Sequence, residues 1–224
     1  MSFALNEPHS NSALLFMQGD QSKFIAIEMV KRRIRMLWNL GGNTGIITHS
    51  LEIQTRDPNF DDAWYHIEAN RTMNLGSLNV RRMANNGSLL NSNPVSDASS
   101  MDFTRISISP NNRFWLGGTP PDIKPNELVN EAGLGVIMQQ LYIDDDQIGL
   151  WHFAHSQGEC GGSEFGPVET SATSNARYFN GDGYSAVMKL RSRPFKKNFF
   201  SIQMTFRTLD ENALLFLAVD EKNV

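Results

Sequence analysis

The 224-residue chain predicts an all-β fold, a sandwich of two antiparallel sheets. Three observations carry that reading. Apolar and polar residues alternate along short runs, the period of a half-buried strand. Turn formers (Gly, Pro, Asn, Asp) return about every 8 to 12 residues, the spacing of sandwich and barrel strands. Helical character is confined to one short stretch, Pro120 to Gly133.

The elements follow in order. Phe24 to Val30 alternates as a strand, Lys31-Arg32-Arg33 is a polar turn, and Ile34 to Leu40 returns as the second arm of a hairpin. Gly41 to Gly45 is a loop ahead of a strand from Ile46. Asp57-Pro58 makes a turn before a strand through Trp64, His66 and Glu68, and Ser77 to Met83 is another strand. Ala84 to Ser100 is rich in Asn, Ser, Gly and Pro and reads as loop. Phe103 to Ser109 and Arg113 to Gly118 are strands, and Gly133 to Phe153 completes the set. Within this last run Asp144-Asp145-Asp146 sits between apolar strand residues and reads as a solvated hairpin turn.

The chain also repeats itself. Met1-Ser2-Phe3 followed by Ala13-Leu14-Leu15-Phe16 returns as Met204-Thr205-Phe206 followed by Ala213-Leu214-Leu215-Phe216, with three fewer residues between the landmarks. A loop absorbs such a difference. The second copy is preceded by Ala176 to Gln203, which has no counterpart before Met1. The expectation is therefore a fragment in which Met1 is an internal methionine. It holds one domain at 1–155 lacking its first strands, a Gly/Ser/Thr-rich linker at 156–176, and the opening of a second domain at 177–224.

Composition narrows the function. With 40% hydrophobic and 20% charged residues the chain can build a core, and a net charge of −4 does not suit a general nucleic-acid binder. No apolar run reaches the roughly 20 residues of a membrane-spanning helix. His9, His49, His66, His152 and His155 show no zinc-ligand spacing, and no G-x-S-x-G serine is present. His66 and His152, beside Trp64 and Trp151, read as strand-surface residues. Asp61-Asp62 and Asp144 to Asp146 are turn clusters, without the facing carboxylate pair that glycoside hydrolysis requires. No catalytic residue is assigned.

Leu37-Trp38-Asn39-Leu40-Gly41-Gly42, Trp64-Tyr65-His66, Asn70-Arg71-Thr72, Leu116-Gly117-Gly118, Ile148-Gly149-Leu150-Trp151 with Phe153, and Phe179-Asn180-Gly181-Asp182-Gly183-Tyr184 stand in one order along nearly the whole chain. In that order they resemble the laminin G-like domain family, most closely the first such domain of laminin α chains running into the second. The resemblance implies a concanavalin-like jelly roll and an extracellular adhesion role in basement membranes, with a signal peptide upstream. It implies as partners integrin-type receptors and the β and γ chains of a laminin. Related modules bind heparan sulfate or dystroglycan glycans, often with calcium. A neurexin- or agrin-like binding module is the alternative, and a concanavalin-like lectin or glycosidase a more distant one.

The resemblance also assigns positions. The calcium-ligating Asp of relatives corresponds to Lys23, with a backbone donor near Met36 and a polar group near Ser109. An ammonium group offers no lone pair to a hard cation, so no metal or other cofactor is expected in this domain. Relatives carry cysteines where this chain has Ser163 and, approximately, Ile137, which leaves Cys160, the single cysteine, with a partner unknown. Two basic groups, Lys31, Arg32, Arg33, Arg35 and Arg191, Arg193, Lys196, Lys197, are candidate glycan contacts, with Arg81-Arg82 between them. Asn86-Gly87-Ser88 and Asn70-Arg71-Thr72 fit the N-glycosylation sequon, Asn86 in a polar loop being the better acceptor.

Overall fold

Three two-residue turns organise the chain into hairpins. Val30 pairs with Arg33 around Lys31-Arg32, Thr72 with Leu75 around Met73-Asn74, and Ile143 with Asp146 around Asp144-Asp145. Lys31 and Arg32 lie at φ 49° and 62°, and Asp144 and Asp145 at 49° and 69°, both central residues left-handed. That sense matches the twist of the flanking strands and fixes which residues face each other.

The computed structural model describes residues 15–19, 23–54, 64–84, 87–106, 113–118, 135–148, 150, 153–157, 160–162, 176–180, 184–187, 199–208 and 213–219, and none of them is helical. The strands in chain order are β1 (Leu15–Gly19), β2 (Lys23–Val30), β3 (Arg33–Asn39), β4 (Gly45–Glu52), β5 (Tyr65–Thr72), β6 (Leu75–Arg82), β7 (Val95–Ala98) and β8 (Arg113–Leu116). They continue as β9 (Gly135–Ile143), β10 (Asp146–Ile148), β11 (Phe153–Gln157), β12 (Cys160–Gly162), β13 (Ala176–Asn180), β14 (Tyr184–Val187), β15 (Phe199–Thr208) and β16 (Ala213–Val219). One sheet runs β11-β14-β8-β1-β2-β3-β4, with β16 also paired to β2 and β8. The other runs β12-β13-β9-β15-β5-β6-β7, with β10 paired to β9. Every pairing is antiparallel, and the two sheets enclose one apolar core. The all-β sandwich expected from the sequence is the fold observed.

Alternation explains the second sheet. Tyr65, Ile67 and Ala69 of β5, Leu78 and Val80 of β6, and Phe200, Ile202, Met204 and Phe206 of β15 are buried in the core, while His66, Glu68, Asn70 and Asn79 stand between them. The first sheet behaves differently. On β2 every residue from Phe24 to Met29 is buried, so this strand is covered on both faces. Phe114 of β8, Phe200 of β15 and Phe216 of β16 form an aromatic cluster that joins the sheets, with centroids 5.1 to 6.5 Å apart.

Trp38 sets the spacing between the sheets. It is fully buried on β3, directly opposite Gly45 of β4. A Cβ at Gly45 would stand 2.4 Å from its ring, and one at Gly76 of β6, in the facing sheet, 2.6 Å. The indole N–H donates to the Asn74 carbonyl at 3.1 Å, in the β5–β6 turn. The ring is thus held between two backbones that approach because neither residue has a side chain.

Two buried charges are paired or solvated by the protein. The β2–β3 register puts Glu28 opposite Arg35, and the guanidinium of Arg35 grips the fully buried Glu28 carboxylate with two nitrogens. Arg71 is fully buried at the end of β5 and donates to the Met73 carbonyl at 2.7 Å and the Thr104 carbonyl at 3.3 Å. Burial lowers its pKa to about 10, against the opposing charge of Asp144, so it stays cationic at neutral pH.

Three features differ from the sequence expectation. Phe103 to Ile106, the described part of the expected strand Phe103 to Ser109, is not a strand. Val95–Ala98, inside the expected loop, is an edge strand against β6, and only Val95 among its residues is even partly buried. A one-sided strand of this kind carries no apolar alternation to announce it. The pairings also cross the expected 156–176 boundary: β13 pairs with β9, β14 with β8, and β15 lies between β5 and β9. The physical reason is the apolar alternation of β15, whose Phe200, Ile202, Met204 and Phe206 enter the core from a position between two strands of the second sheet.

Two outcomes are expected. Gly76→Ala lowers the urea midpoint by the equivalent of about 1–3 kcal/mol with an unchanged m-value, because the new methyl meets an immovable ring; an unshifted midpoint would show that the ring is not wedged. Arg35→Met destabilises by about 3–5 kcal/mol through a buried unpaired carboxylate, and adding Glu28→Leu restores most of it. Equal losses in the single and double variants would rule out that pairing.

Candidate functional site

The basic group on the β2–β3 hairpin is divided by the fold into structural and exposed members. Arg35 is occupied with Glu28. The Arg32 Nε–H donates to the Ile53 carbonyl at 3.0 Å and lies 3.5 Å from Glu52, which ties the turn to the end of β4. Lys31 and Arg33 are exposed at the tip. The tip therefore offers two solvent-facing cations on a backbone whose geometry is set by Arg32. Arg191, Arg193, Lys196 and Lys197, the second basic group, lie outside the described residues. Arg81 is spent on Glu68, and Arg82 donates to Gln54 Oε1 at 3.0 Å.

At the start of β2, Lys23 occupies the position assigned to a calcium-ligating Asp. Its stem runs along Gly41, where a Cβ would lie 3.0 Å from Lys23 Cε and 3.2 Å from the Phe103 ring. Gly41 has φ 113°, which favours glycine and keeps the passage for that stem open. Met36, the position near the proposed backbone donor, is wholly buried on β3, and Ser109 lies outside the described residues. Among the described residues no group of three or more His, Cys, Asp or Glu side chains is arranged so that it could hold a metal ion.

The outward face of the second sheet carries a polar network. His66 Nδ1 meets Thr205 Oγ1 at 2.7 Å, and His66 Nε2 lies 3.4 Å from Glu68. Glu68 also takes Arg81, and at 3.4 Å the Asn79 amide. Burial, with the nearby charge of Arg81, lowers the His66 pKa to about 3, so this imidazole is neutral across the physiological range. His49 is buried on β4. Its Nε2 meets the Asn93 carbonyl at 3.2 Å and its Nδ1 accepts from the Leu51 amide at 3.1 Å, with a pKa lowered by burial. Both imidazoles are held by the surrounding chain rather than presented to a substrate. His155 lies in β11 opposite Ala186, while His9 and His152 are outside the described residues.

The acidic turn has a structural task. Asp144 exchanges backbone and side-chain hydrogen bonds with Ser201: its N–H donates to the Ser201 carbonyl at 2.8 Å, and its Oδ1 accepts from the Ser201 N–H at 2.7 Å. The two sequons differ in the same way. Asn70 sits mid-strand between Ser77 and Ser201, and its Oδ1 accepts from Ser201 Oγ at 2.6 Å. Asn86 lies outside the described residues, but its neighbours Gly87 and Ser88 are exposed in a turn closed by Gly87 N–H to the Ala84 carbonyl at 2.8 Å. Cys160 stands in β12 opposite Phe179, and Ile137 in β9 opposite Tyr178; Ser163 is outside the described residues.

Sequence reasoning missed the Glu28–Arg35 pair and the buried Arg71. The first could have been found: a two-residue turn at Lys31-Arg32 puts residues 28 and 35 face to face. Nothing local marks Arg71, whose partners come from a turn and a segment 33 residues away.

Comparison with known proteins bears on the same features. The Laminin G domain profile matches residues 8–149, a span that includes the Trp38 wedge and the basic hairpin. Laminin subunit alpha-1 of Homo sapiens is 30% identical over 206 residues, which is 90% of this chain and 6% of that protein. Laminin subunit alpha-1 of Mus musculus is 28% identical over 207 residues, 91% of this chain and again 6% of the relative. No solved structure matches the chain significantly. A strand order, an antiparallel sandwich and a profile that together span most of the chain lead to one assignment: the chain belongs to the laminin G domain family.

Proposed function

We propose that the chain is an extracellular-matrix adhesion module, part of the globular region of a laminin α-type chain, that binds anionic glycans and receptor surfaces rather than catalysing a reaction. The observation that carries this reading is the pair of exposed cations, Lys31 and Arg33, on a turn held by Arg32. Lys31 and Arg32 both adopt left-handed backbone angles. Such angles cost non-glycine residues about 1–2 kcal/mol each, and Asn-Gly would relieve much of it. Arg32 has a structural partner at its position, whereas Lys31 holds a long cationic side chain where Asn or Gly would be favoured, which supports a role for its charge.

Anionic glycans, heparan sulfate or those of dystroglycan, are the ligands this charge suits, since their attraction to a basic tip is electrostatic and screened by salt. Integrin-type receptors and laminin β and γ chains are partners proposed for the longer protein, in a basement membrane. Asn86 is the proposed glycan acceptor. No resident metal or cofactor is part of this function.

Retention on immobilised heparin is the test. The chain should bind at low salt and elute progressively as salt rises. Lys31→Asn with Arg33→Thr keeps a turn-compatible residue at the tip and should weaken heparin affinity by about three- to tenfold at physiological salt. A folded double variant that elutes with the parent chain would remove the hairpin from the binding surface.

A further inference from the structure

β4 is the last strand of one sheet and β7 the last of the other, and the two pack together at one side of the sandwich. No backbone ladder crosses between packed sheets, so side chains must close such a seam. Here one imidazole does so. His49 of β4 is turned inward and is 2% exposed. Its Nδ1 accepts from the Leu51 N–H at 3.1 Å, and its Nε2 lies 3.2 Å from the Asn93 carbonyl and 3.1 Å from Ser92 Oγ. An accepting Nδ1 leaves the ring proton on Nε2, where it faces two oxygens. The neutral ring therefore satisfies all three partners at once.

Residues 91–94 depend on that ring. Before them the Leu90 N–H donates to the Arg82 carbonyl at 2.8 Å and Leu89 bridges to Met83. After them β7 pairs with β6 from Val95 onward. Between these anchors, among the described residues, 91–94 hydrogen-bond to His49 alone. Asn91, Asn93 and Pro94 are exposed. Leu51 and Val95, two residues from His49 and from Asn93, pack partly buried against the core.

A second proton on the ring breaks this arrangement. At Nδ1 it points a donor at the Leu51 N–H, and it leaves a charge with no carboxylate to meet it. The inward side chains of the strands packed on β4 are apolar: Ile34 and Met36 of β3, Leu78 and Val80 of β6, and Val95 of β7. The charges on these strands are engaged elsewhere or lie in solvent. Glu52 faces Arg32, Arg35 holds Glu28, Arg81 holds Glu68, and Arg82 donates to Gln54. Arg33 is exposed, and so is Asp97, whose carboxylate accepts from the Ala98 N–H.

We propose that His49 is a proton-operated clasp: the neutral ring closes the seam between β4 and the approach to β7, and the protonated ring leaves it, freeing residues 91–94 and the start of β7. Opening uncovers Leu51 and Val95 at the margin of the core while the two sheets stay together. Burial lowers the His49 pKa from 6.5, outweighing the Asn93 carbonyl, which raises it. The clasp is thus fully closed above 6.5 and weakens as pH falls toward the folded-state value. Each pH unit in that window moves the opening equilibrium about tenfold toward the open form.

Hydrogen exchange on the full chain, expressed as protection factors so that the intrinsic pH dependence cancels, is the test. Between about pH 7.5 and about pH 5, protection of the Leu51 amide and of the β7 amides should fall about tenfold, with β5 and β15 unchanged. His66, with its pKa lowered to about 3, does not titrate in that range. His49→Gln supplies an acceptor and a donor but gains no proton, and it should show no such fall. Constant protection in the parent chain would overturn the proposal, and so would an equal fall in the variant, which would assign the change to another group. NMR titration of the His49 ring in the unsubstituted chain reads the same event without a substitution. Its midpoint should lie below 6.5 and coincide with the loss of Leu51 protection; a midpoint at or above 6.5 would overturn the clasp.

Discussion

The placement of Trp38 between Gly45 and Gly76 governs how closely the two sheets approach. A ring of that size in a sandwich normally pushes the sheets apart, and here it is accommodated because backbone replaces side chain on both sides. The consequences spread outward. The indole hydrogen bond fixes the Asn74 carbonyl, the Asn74 amide holds the Ser99 carbonyl at 3.0 Å, and Arg71 bridges Met73 to Thr104. One aromatic residue and its immediate polar neighbours thereby anchor the β5–β6 turn and the segment after β7. Beyond the end of β4 the chain is tied to β5 as well, where the Tyr65 hydroxyl accepts from the Gln54 backbone N–H at 2.8 Å.

Much of this was legible in the sequence, and the reason is the two-residue period. Phe24 to Val30, Ile34 to Leu40 and the run through Trp64 have one face buried or both, and turn residues bracket them. The Asp144 turn was legible because three carboxylates between apolar strand residues have to stay solvated. β7 was not, because an exposed edge strand is defined by hydrogen bonds to its neighbour and not by its side chains. The integration of β15 between β5 and β9 was also hidden. Alternation reveals that Phe199 to Thr208 is a strand but carries no information on which edges it will join, and the linker-like composition of 156–176 pointed to separation. At the candidate site, the sequence disclosed a cluster of cations without disclosing that Arg32 and Arg35 face a carbonyl and two carboxylates.

That division of labour within one hairpin is a physical principle more than a detail. A charge placed in a sheet must either be compensated or be lifted into solvent. Along β3 the alternate positions Arg33 and Arg35 lie on one side of the strand, yet one sits at the tip beyond the covering chain and the other beneath it. Position along the strand, rather than residue type, decides which cation stabilises the fold and which remains available to a ligand.

The location of β15 has a temporal consequence. Asn70 meets Ser201 across 131 residues of chain, and His66 meets Thr205 across 139. During synthesis, β5 and β9 emerge long before the strand that will lie between them. Until residues 199–208 leave the ribosome, two apolar-lined edges face each other with nothing to bridge them. Pairings over such separations form slowly, and open edges invite aggregation while they wait. The second sheet becomes continuous only after residues 199–208 have followed β9 by more than fifty residues of chain, and until then its open edges need protection from aggregation.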